Sequence, residues 1–388
     1  MIKLIKNGDV YAPDYLGRKD ILIADGRIAA VKDSISISSL DEDVEIYDAE
    51  GKSVIPGLID GHVHITGGGG EGSFKTRTPE LTFSDCIKGG ITTVVGVIGT
   101  DGTTRTMTNL IAKAKGLTEE GITCYCLSGN YHVPVKTVTG SVETDILLIS
   151  EVIGTGEIAV SDHRSSQPTA AELARLASES RIGGLLSGKG GTVVVHVGSS
   201  KTKLSLLEQV VEETDIPIHQ FLPTHINRTH ELLKAGILYA KKGGYIDLTT
   251  SSGQGKYNAL SSSKSLKNLL EEGVDISNIS FTSDGQGSLP KFNEAGELIG
   301  MGVGRVTSLH QEVRNAVIDE GIPLETAIKV ATSNPASFLK LSNKGSIKAG
   351  MDADITILEK INLSVDGVIS KGQWMMKDEE IIVKGTFE

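Results

Sequence analysis

Three cysteines in 388 residues, Cys86, Cys124 and Cys126, are too few for a disulfide framework, and none falls in a CxxC or zinc-finger spacing. Cys124 and Cys126 lie two apart in an apolar run, where strand neighbours share a face. All three read as reduced, structural thiols of a cytoplasmic protein. No apolar run reaches the roughly 18 residues that a membrane-spanning helix needs, and the first residues lack the apolar core and cleavage site of a signal peptide. Basic charge is also short. A net charge of −11 makes nucleic acid and anionic membrane poor partners, because both favour a basic footprint. A single pocket can still be locally basic.

What is present is an ordinary globular composition in a chain long enough for one large enzyme domain and a small one. The middle of the chain repeats a short apolar strand, a polar turn and a helical stretch. Strands are expected at Val54–His64, Ile91–Ile98, Ile122–Ser128, Glu157–Asp162, Thr192–Val197, Phe221–Ile226, Tyr245–Thr250 and Ile279–Asp284. Several are almost continuously apolar, as in parallel sheets buried on both faces. Helical patterns lie between them, among them Thr169–Leu186, Lys201–Glu213, Glu231–Lys242 and Ser261–Glu272. Eight such units predict an α/β fold with a (β/α)8 TIM-like barrel; a doubly wound open sheet is the alternative.

The ends differ. Ile2–Asp48 consists of short strand-like pieces with turns at Asn7-Gly8, Asp25-Gly26 and Ser36–Ser39, and the tail repeats the style at Asp354–Leu358, Gly367–Ser370 and Glu380–Lys384. Residues 1–53 and 345–388 are therefore expected to build a small β-sandwich domain, with the barrel, residues 54–344, inserted between them. Two glycine-containing loops, Gly67–Gly70 and Gly253–Ser263, follow barrel strands on the face where active sites sit.

Gly61-His62-Val63-His64 ends the first barrel strand, and an HxH pair on a strand sets both imidazoles on one side. His196 lies near the end of the fifth strand, His225 near the end of the sixth and Asp284 at the end of the eighth. His196 or His225 alone would read as a satisfied core histidine. Together, at strand ends that converge on one barrel mouth, the set reads as a metal site. Nitrogen-rich ligation with carboxylates suits zinc, with manganese or cobalt as alternatives. Four histidines are too many for one catalytic zinc with an open position, so two ions are expected, bridged by a carboxylate. Glu157, placed by sequence at the start of the fourth strand, is the candidate bridge; taken alone it reads equally as a surface glutamate.

Gly57-Leu58-Ile59-Asp60-Gly61-His62-Val63-His64 with these later ligands resembles the amidohydrolase superfamily. Within it the chain is similar to the isoaspartyl (β-aspartyl) dipeptidase family over nearly its whole length. The likeness is carried by Gly67-Gly68-Gly69-Gly70-Glu71, Thr76-Arg77-Thr78-Pro79-Glu80, Gly99-Thr100-Asp101 and Tyr131-His132-Val133-Pro134. It continues through Ser161-Asp162-His163-Arg164-Ser165, Pro223-Thr224-His225-Ile226-Asn227-Arg228, Ser283-Asp284-Gly285-Gln286-Gly287-Ser288 and Val383-Lys384-Gly385-Thr386-Phe387-Glu388. One departure stands out. The family's usual bridge, a carboxylated lysine four residues before the serine of the SDHR motif, is Glu157 here. Glutamate also presents two oxygens and one negative charge, and neither Lys136 nor Lys189 sits at a fourth-strand position.

The resemblance implies hydrolysis of β-aspartyl dipeptides by a hydroxide bridging two zinc ions, with Asp284 as both ligand and general acid/base and Tyr131 donating to the developing oxyanion. It also implies that Glu71 meets the substrate's α-ammonium, that Arg164, Arg228 and Ser288 meet carboxylates, that Thr100 and Gly69 line the pocket, and that the chain forms a homo-oligomer, as an octamer. His132, His163, His219, His230 and His310 are read as non-ligands, with His163 able to orient a ligand. Rival activities are a cyclic-amide hydrolase of dihydroorotase or hydantoinase type, an N-acyl-amino-acid deacylase, and a non-catalytic barrel scaffold; retention of every histidine and Asp284 argues against the last.

Overall fold

A computed structural model describes residues 2–36, 44–251, 260–292 and 298–388. Residues 37–39 of the turn expected at Ser36–Ser39 and residues 253–259 of the Gly253–Ser263 loop lie outside them. The chain opens with β1 (Ile2–Tyr11), β2 (Tyr15–Ala24), β3 (Arg27–Lys32), β4 (Val44–Asp48) and β5 (Lys52–Pro56). Asp25 and Gly26, both at positive φ, make the two-residue turn between β2 and β3 that matches strand twist. Asn7-Gly8 is not a turn. It is an irregularity inside β1, where the pairing with β2 shifts between Ile5 and Gly8 and Asn7 takes φ 61°. Asn7 tolerates that backbone because its amide reaches Asp48 and its N–H reaches Asp20. A two-residue turn signal inside a long strand is satisfied as readily by a bulge as by a hairpin.

Eight parallel strands follow: β6 (Leu58–Val63), β7 (Ile91–Gly96), β8 (Thr123–Ser128), β9 (Val152–Val160), β10 (Thr192–Val197), β11 (Phe221–Thr224), β12 (Ile246–Thr249) and β13 (Ile279–Thr282). Strands β6 to β11 pair in sequence order and β12 pairs β13. The ring closes where Val63 bridges Gly285 and the His64 N–H donates to Gly285 O. The seam between β11 and β12 is held by side chains: Thr224 donates to Asp247, and Asn227 exchanges two hydrogen bonds with the Thr249 backbone. A helix follows each strand: α1 (Phe83–Lys88), α2 (Met107–Glu120), α3 (Val142–Leu148), α4 (Ala170–Ser187), α5 (Ser205–Glu213), α6 (His230–Lys241), α7 (Ser262–Glu271) and α8 (Ser308–Ile318). The expected (β/α)8 barrel is thus present. Thr169 caps α4 in a reciprocal capping box with Glu172, which explains why the pattern beginning there was legible.

Two further expectations need correction, and one insertion was not foreseen. Val54–His64 is not one strand: Lys52–Pro56 belongs to the terminal sheet and Leu58–Val63 to the barrel. The chain swings at Gly57, where a Cβ would sit 2.3 Å from Thr92 Oγ1, so only glycine fits the joint. The fourth strand begins at Val152 rather than Glu157, which puts Glu157 in its second half. Finally, a hairpin, β14 (Ser288–Phe292) and β15 (Leu298–Val303), is inserted between β13 and α8.

After two further short helices, α9 (Leu324–Ala327) and α10 (Ser333–Phe338), the chain returns as β16 (Ile355–Glu359), β17 (Val365–Ser370), β18 (Gln373–Lys377) and β19 (Glu380–Ile381). These join the first five strands in one nine-stranded sheet, β16 lying antiparallel to β5. Ile5, Val10, Ile21 and Ile28 from one arm pack in one buried cluster with Ile355, Ile369 and Trp374 from the other, so the sheet folds over its own core. Inside the barrel, Val95, Leu127, Ile153, Val194 and Leu222 pack with Phe338 and Leu339 of the α10 region. That plug fills one end of the barrel and leaves the strand C-termini for chemistry.

Lys344 ties barrel and terminal sheet together. It is buried, bonded to Asp354, to Asp352 at 2.9 Å and to Thr123 of β8 at 2.7 Å. Lys344→Met leaves the buried Asp354 carboxylate uncompensated and is expected to cost about 3–5 kcal/mol, read as a lower urea midpoint at unchanged slope.

Candidate active site

The strand C-termini bring the six expected metal-binding residues to one place. Glu157 is the centre. Its Oε2 lies 3.2 Å from His62 Nε2, 3.2 Å from His196 Nδ1 and 3.8 Å from His225 Nε2, and its Oε1 lies 3.5 Å from His64 Nε2. Asp284 Oδ1 is 3.1 Å from His64 Nε2 and 3.9 Å from His62 Nε2. Glu157 and the four histidines are buried, and Asp284 is partly open to the mouth.

Local backbone irregularities aim these groups. The pairing of β9 with β10 slips between the partners Thr155 and Ile158, a bulge that contains Glu157 and turns its side chain inward. His225 and Asp284 adopt φ 65° and 52°, left-handed conformations that cost a non-glycine residue free energy and are kept where the surroundings over-determine them.

The electrostatics follow from burying one carboxylate among imidazoles. Desolvation alone would raise the Glu157 pKa, but the His62 charge and hydrogen bonds from His196 and His225 hold it well below the carboxylate range. Burial alone would lower His62; Glu157 instead raises it to about 9. His225 is pushed down to about 3 by burial and by neighbouring His196. Asp284 is held near 2 against burial by the His64 hydrogen bond and the imidazole charges. Two carboxylates are thus held ionised among imidazoles, and positive charge beside them stabilises both.

The donor set fits divalent metal. His62 Nδ1 and Nε2, His64 Nδ1 and Glu157 Oε1 are buried without a hydrogen-bond partner, although such atoms in a folded interior are ordinarily satisfied. Two triads, His62–His64–Asp284 and His62–Glu157–His225, each place their ligand atoms within 4.8 Å of one another. Nitrogen and carboxylate donors of this kind suit zinc and its neighbours.

Asp162, which the sequence reading did not single out, sets the orientation of His196. Its Oδ2 accepts from His196 Nε2 at 3.1 Å, leaving Nδ1 turned to Glu157. A carboxylate fixing the remote nitrogen of a ligating histidine is a general device. His163, read from the same motif as a possible orienting group, has its side chain almost fully exposed. Asp284 and Asp162 carry the same sequence signal, an aspartate ending a barrel strand, and that signal had more to give. His225 is oriented similarly, Nδ1 lying 2.6 Å from Thr249 Oγ1.

The second set of expected residues forms a rim. Arg164 donates to Glu71 Oε1 at 3.0 Å and grips both oxygens of Asp162, at 3.0 and 2.8 Å. Thr100 donates to the same Glu71 oxygen at 3.0 Å. Tyr131 OH is 2.8 Å from His196 Nδ1, and the Arg164 guanidinium lies 5.3 Å from the Tyr131 ring centre. Burial raises the Tyr131 pKa well above its usual value, so the phenol stays protonated. Gly69 abuts Ser288, whose Cβ would lie 3.0 Å from a Cβ placed on Gly69. Arg228 follows His225 on a 3-10 turn and is half-buried, close enough for its charge to help depress His225. His132, His163, His219, His230 and His310 fall outside both triads, and so does His196, which meets the cluster through its Nδ1, 3.2 Å from Glu157 Oε2.

The Amidohydrolase family profile matches residues 53–375, and the chain belongs to that family of metal-dependent hydrolases. Among solved structures, the β-aspartyl dipeptidase of Fervidobacterium islandicum AW-1, in complex with β-Asp-Leu, is 46% identical over 98% of both chains with a TM-score of 0.90. The family resemblance read from the motifs therefore holds. Dihydropyrimidinase from Brevibacillus agri NCHU1002, at 17% identity and a TM-score of 0.68 over 99% of this chain and 97% of that one, shares the fold. A dihydroorotase of Listeria monocytogenes is 32% identical over 154 residues, 39% of this chain and 32% of that protein. The chain thus spans about a third of the length of the curated relatives it matches.

Asp162→Asn keeps the shape but weakens the acceptor for His196 Nε2. Metal affinity is expected to fall about 10–100-fold, measured by competition with a chromophoric chelator, while the far-UV spectrum stays unchanged.

Proposed function

We propose that this chain hydrolyses the isopeptide bond of β-aspartyl dipeptides with two divalent metal ions, zinc first among them, held by His62, His64, Glu157, His196, His225 and Asp284. The observation that carries the reading is the pairing of this cluster with a rim of opposite charges, Glu71 against Arg164 and Arg228. Such a rim matches an aspartyl end that carries an α-ammonium and an α-carboxylate. Its likeness to an enzyme whose structure contains β-Asp-Leu supports the same substrate class.

When bound, the metal pair supplies a water-derived nucleophile at neutral pH and polarises the scissile carbonyl. The protein does the rest. Asp284, ionised at neutral pH and adjacent to His64, takes the proton of the attacking water and returns it to the departing amine. Tyr131, kept protonated, donates to the carbonyl oxygen as negative charge develops there. Glu71 receives the α-ammonium; Arg164 and Arg228 receive carboxylate, with Ser288, Thr100 and Gly69 shaping the pocket around them. The hydrolase unit runs from Gly57 to residue 344 and the small β unit comprises residues 1–56 with 345–388, the first joint lying at Gly57 rather than at the expected 53/54 because β5 pairs in the terminal sheet.

Zinc-loaded enzyme is expected to cleave β-Asp-Leu at least about a hundredfold better, in kcat/KM, than α-Asp-Leu or dihydroorotate. A preference for dihydroorotate would replace this reading with a cyclic-amide hydrolase.

A second expectation follows from Glu157. Glutamate carries its carboxylate already, whereas a carboxylated lysine must form from carbon dioxide. Metal-stripped enzyme should regain full activity on addition of zinc alone in carbonate-free buffer. Reactivation that requires bicarbonate would remove Glu157 as the bridge.

A further inference from the structure

We propose that Arg105 is a positioning residue for substrate recognition, holding the glycine loop that carries Glu71 so that this carboxylate faces the substrate's α-ammonium; the inference rests on the dipeptidase reading above. Arg105 is the largest fully buried side chain described, at 2% exposure. Its guanidinium spends its hydrogen bonds on one stretch of backbone. Nε donates to Thr66 O at 3.2 Å, one terminal nitrogen to Gly68 O at 2.8 Å and the other to Gly69 O at 3.4 Å. The nearest carboxylate oxygen, on Asp101, is 3.7 Å away and already bonded to Arg77 at 2.8 Å. Asp101 also accepts from the Thr103 and Thr104 N–H groups, so it shapes the loop from which Arg105 projects.

A buried guanidinium is costly unless its donors are satisfied. Here three convergent carbonyls satisfy them, which requires this loop in this conformation. The loop needs outside support. Gly67, Gly69 and Gly70 all sit at positive φ, and a chain so rich in glycine loses much conformational freedom on ordering. Support also arrives from the opposite side, where the Gly68 N–H donates to Gln286 O at 3.1 Å. Arg105 belongs to the segment joining β7 to α2, and Thr100 of that segment donates to Glu71 itself. One loop therefore grips the glycine loop twice, at its backbone through Arg105 and at the Glu71 carboxylate through Thr100. A planar fork with fixed donor directions spans Thr66, Gly68 and Gly69 in a way a lysine ammonium does not.

The test uses the zinc-loaded full chain as wild type, Arg105→Met and Arg105→Lys. Readouts are kcat and KM for β-Asp-Leu and for succinyl-leucine, which lacks the α-amino group, with metal content and amide hydrogen exchange over residues 66–73. Arg105→Met is expected to raise KM for β-Asp-Leu about tenfold and to shrink its preference over succinyl-leucine by about the same factor. Metal content and kcat should be largely retained, and loop exchange should accelerate. Arg105→Lys should show the same changes at smaller size, and carries the test if Arg105→Met does not fold. Unchanged exchange with unchanged preference overturns the proposal. So does an equal loss on both substrates accompanied by metal loss, which would make Arg105 a prop for the His64 side of the metal cluster. If wild type fails to cleave β-Asp-Leu, the functional reading falls separately, and hydrogen exchange alone decides whether Arg105 holds the loop.

Discussion

A single buried carboxylate organises this molecule. Glu157 is withdrawn from water inside the barrel and lies within 4 Å of four imidazoles contributed by three other strands. An isolated carboxylate in that position would be expensive, and the cost is offset only if positive charge converges on it. A closed ring of parallel strands meets this need because every strand delivers its C-terminal residues to one mouth. The strained backbones at His225 and Asp284 and the bulge at Glu157 are the local adjustments by which straight strands reach a common point.

The rim is not independent of that centre. Asp162 accepts from His196 on one side and from Arg164 on the other, so one carboxylate orients both an imidazole of the central cluster and a guanidinium of the rim. Arg164 in turn pairs with Glu71. On the proposed reading, a bound zwitterion would enter between Arg164 and Glu71, exchanging one internal ion pair for two external ones. That exchange would be close to balanced in charge and so would favour a substrate carrying both signs over one carrying only a carboxylate. Although the chain carries a net charge of −11, the Arg164 guanidinium at this mouth is held in place by two neighbouring acids, Glu71 and Asp162.

Much of this was legible because it depends on period and order. The alternation His62-Val63-His64 and the recurrence of apolar strands each followed by a helix do not require knowledge of three-dimensional contacts, and from them the barrel and its six convergent residues could be read. What escaped is non-local or sub-residue. Val54–Ile59 is apolar throughout, and the swing at Gly57 shows only when Thr92 is known to pack there. Asn7-Gly8 serves a bulge because β4 and β2 flank it, a fact of pairing rather than propensity. Asp162 and His163 are adjacent, and which of them touches His196 depends on the turn after β9, where Ser161 takes φ 54°. Arg105 carries no motif at all; its meaning comes wholly from the carbonyls it meets.

The bulge in β9 bears on the departure from the family's usual lysine. A carboxylate at the end of a long side chain can reach a shared site from regular strand backbone, at the cost of ordering several rotatable bonds. Glutamate is shorter, so the backbone must approach instead. In β9 the extra residue of the bulge brings Glu157 close enough for both oxygens to contact imidazoles, Oε1 toward His64 and Oε2 toward His62, His196 and His225. The position of the Glu157 carboxylate is thereby tied to the register of β9 against β10, with few side-chain torsions left to fix.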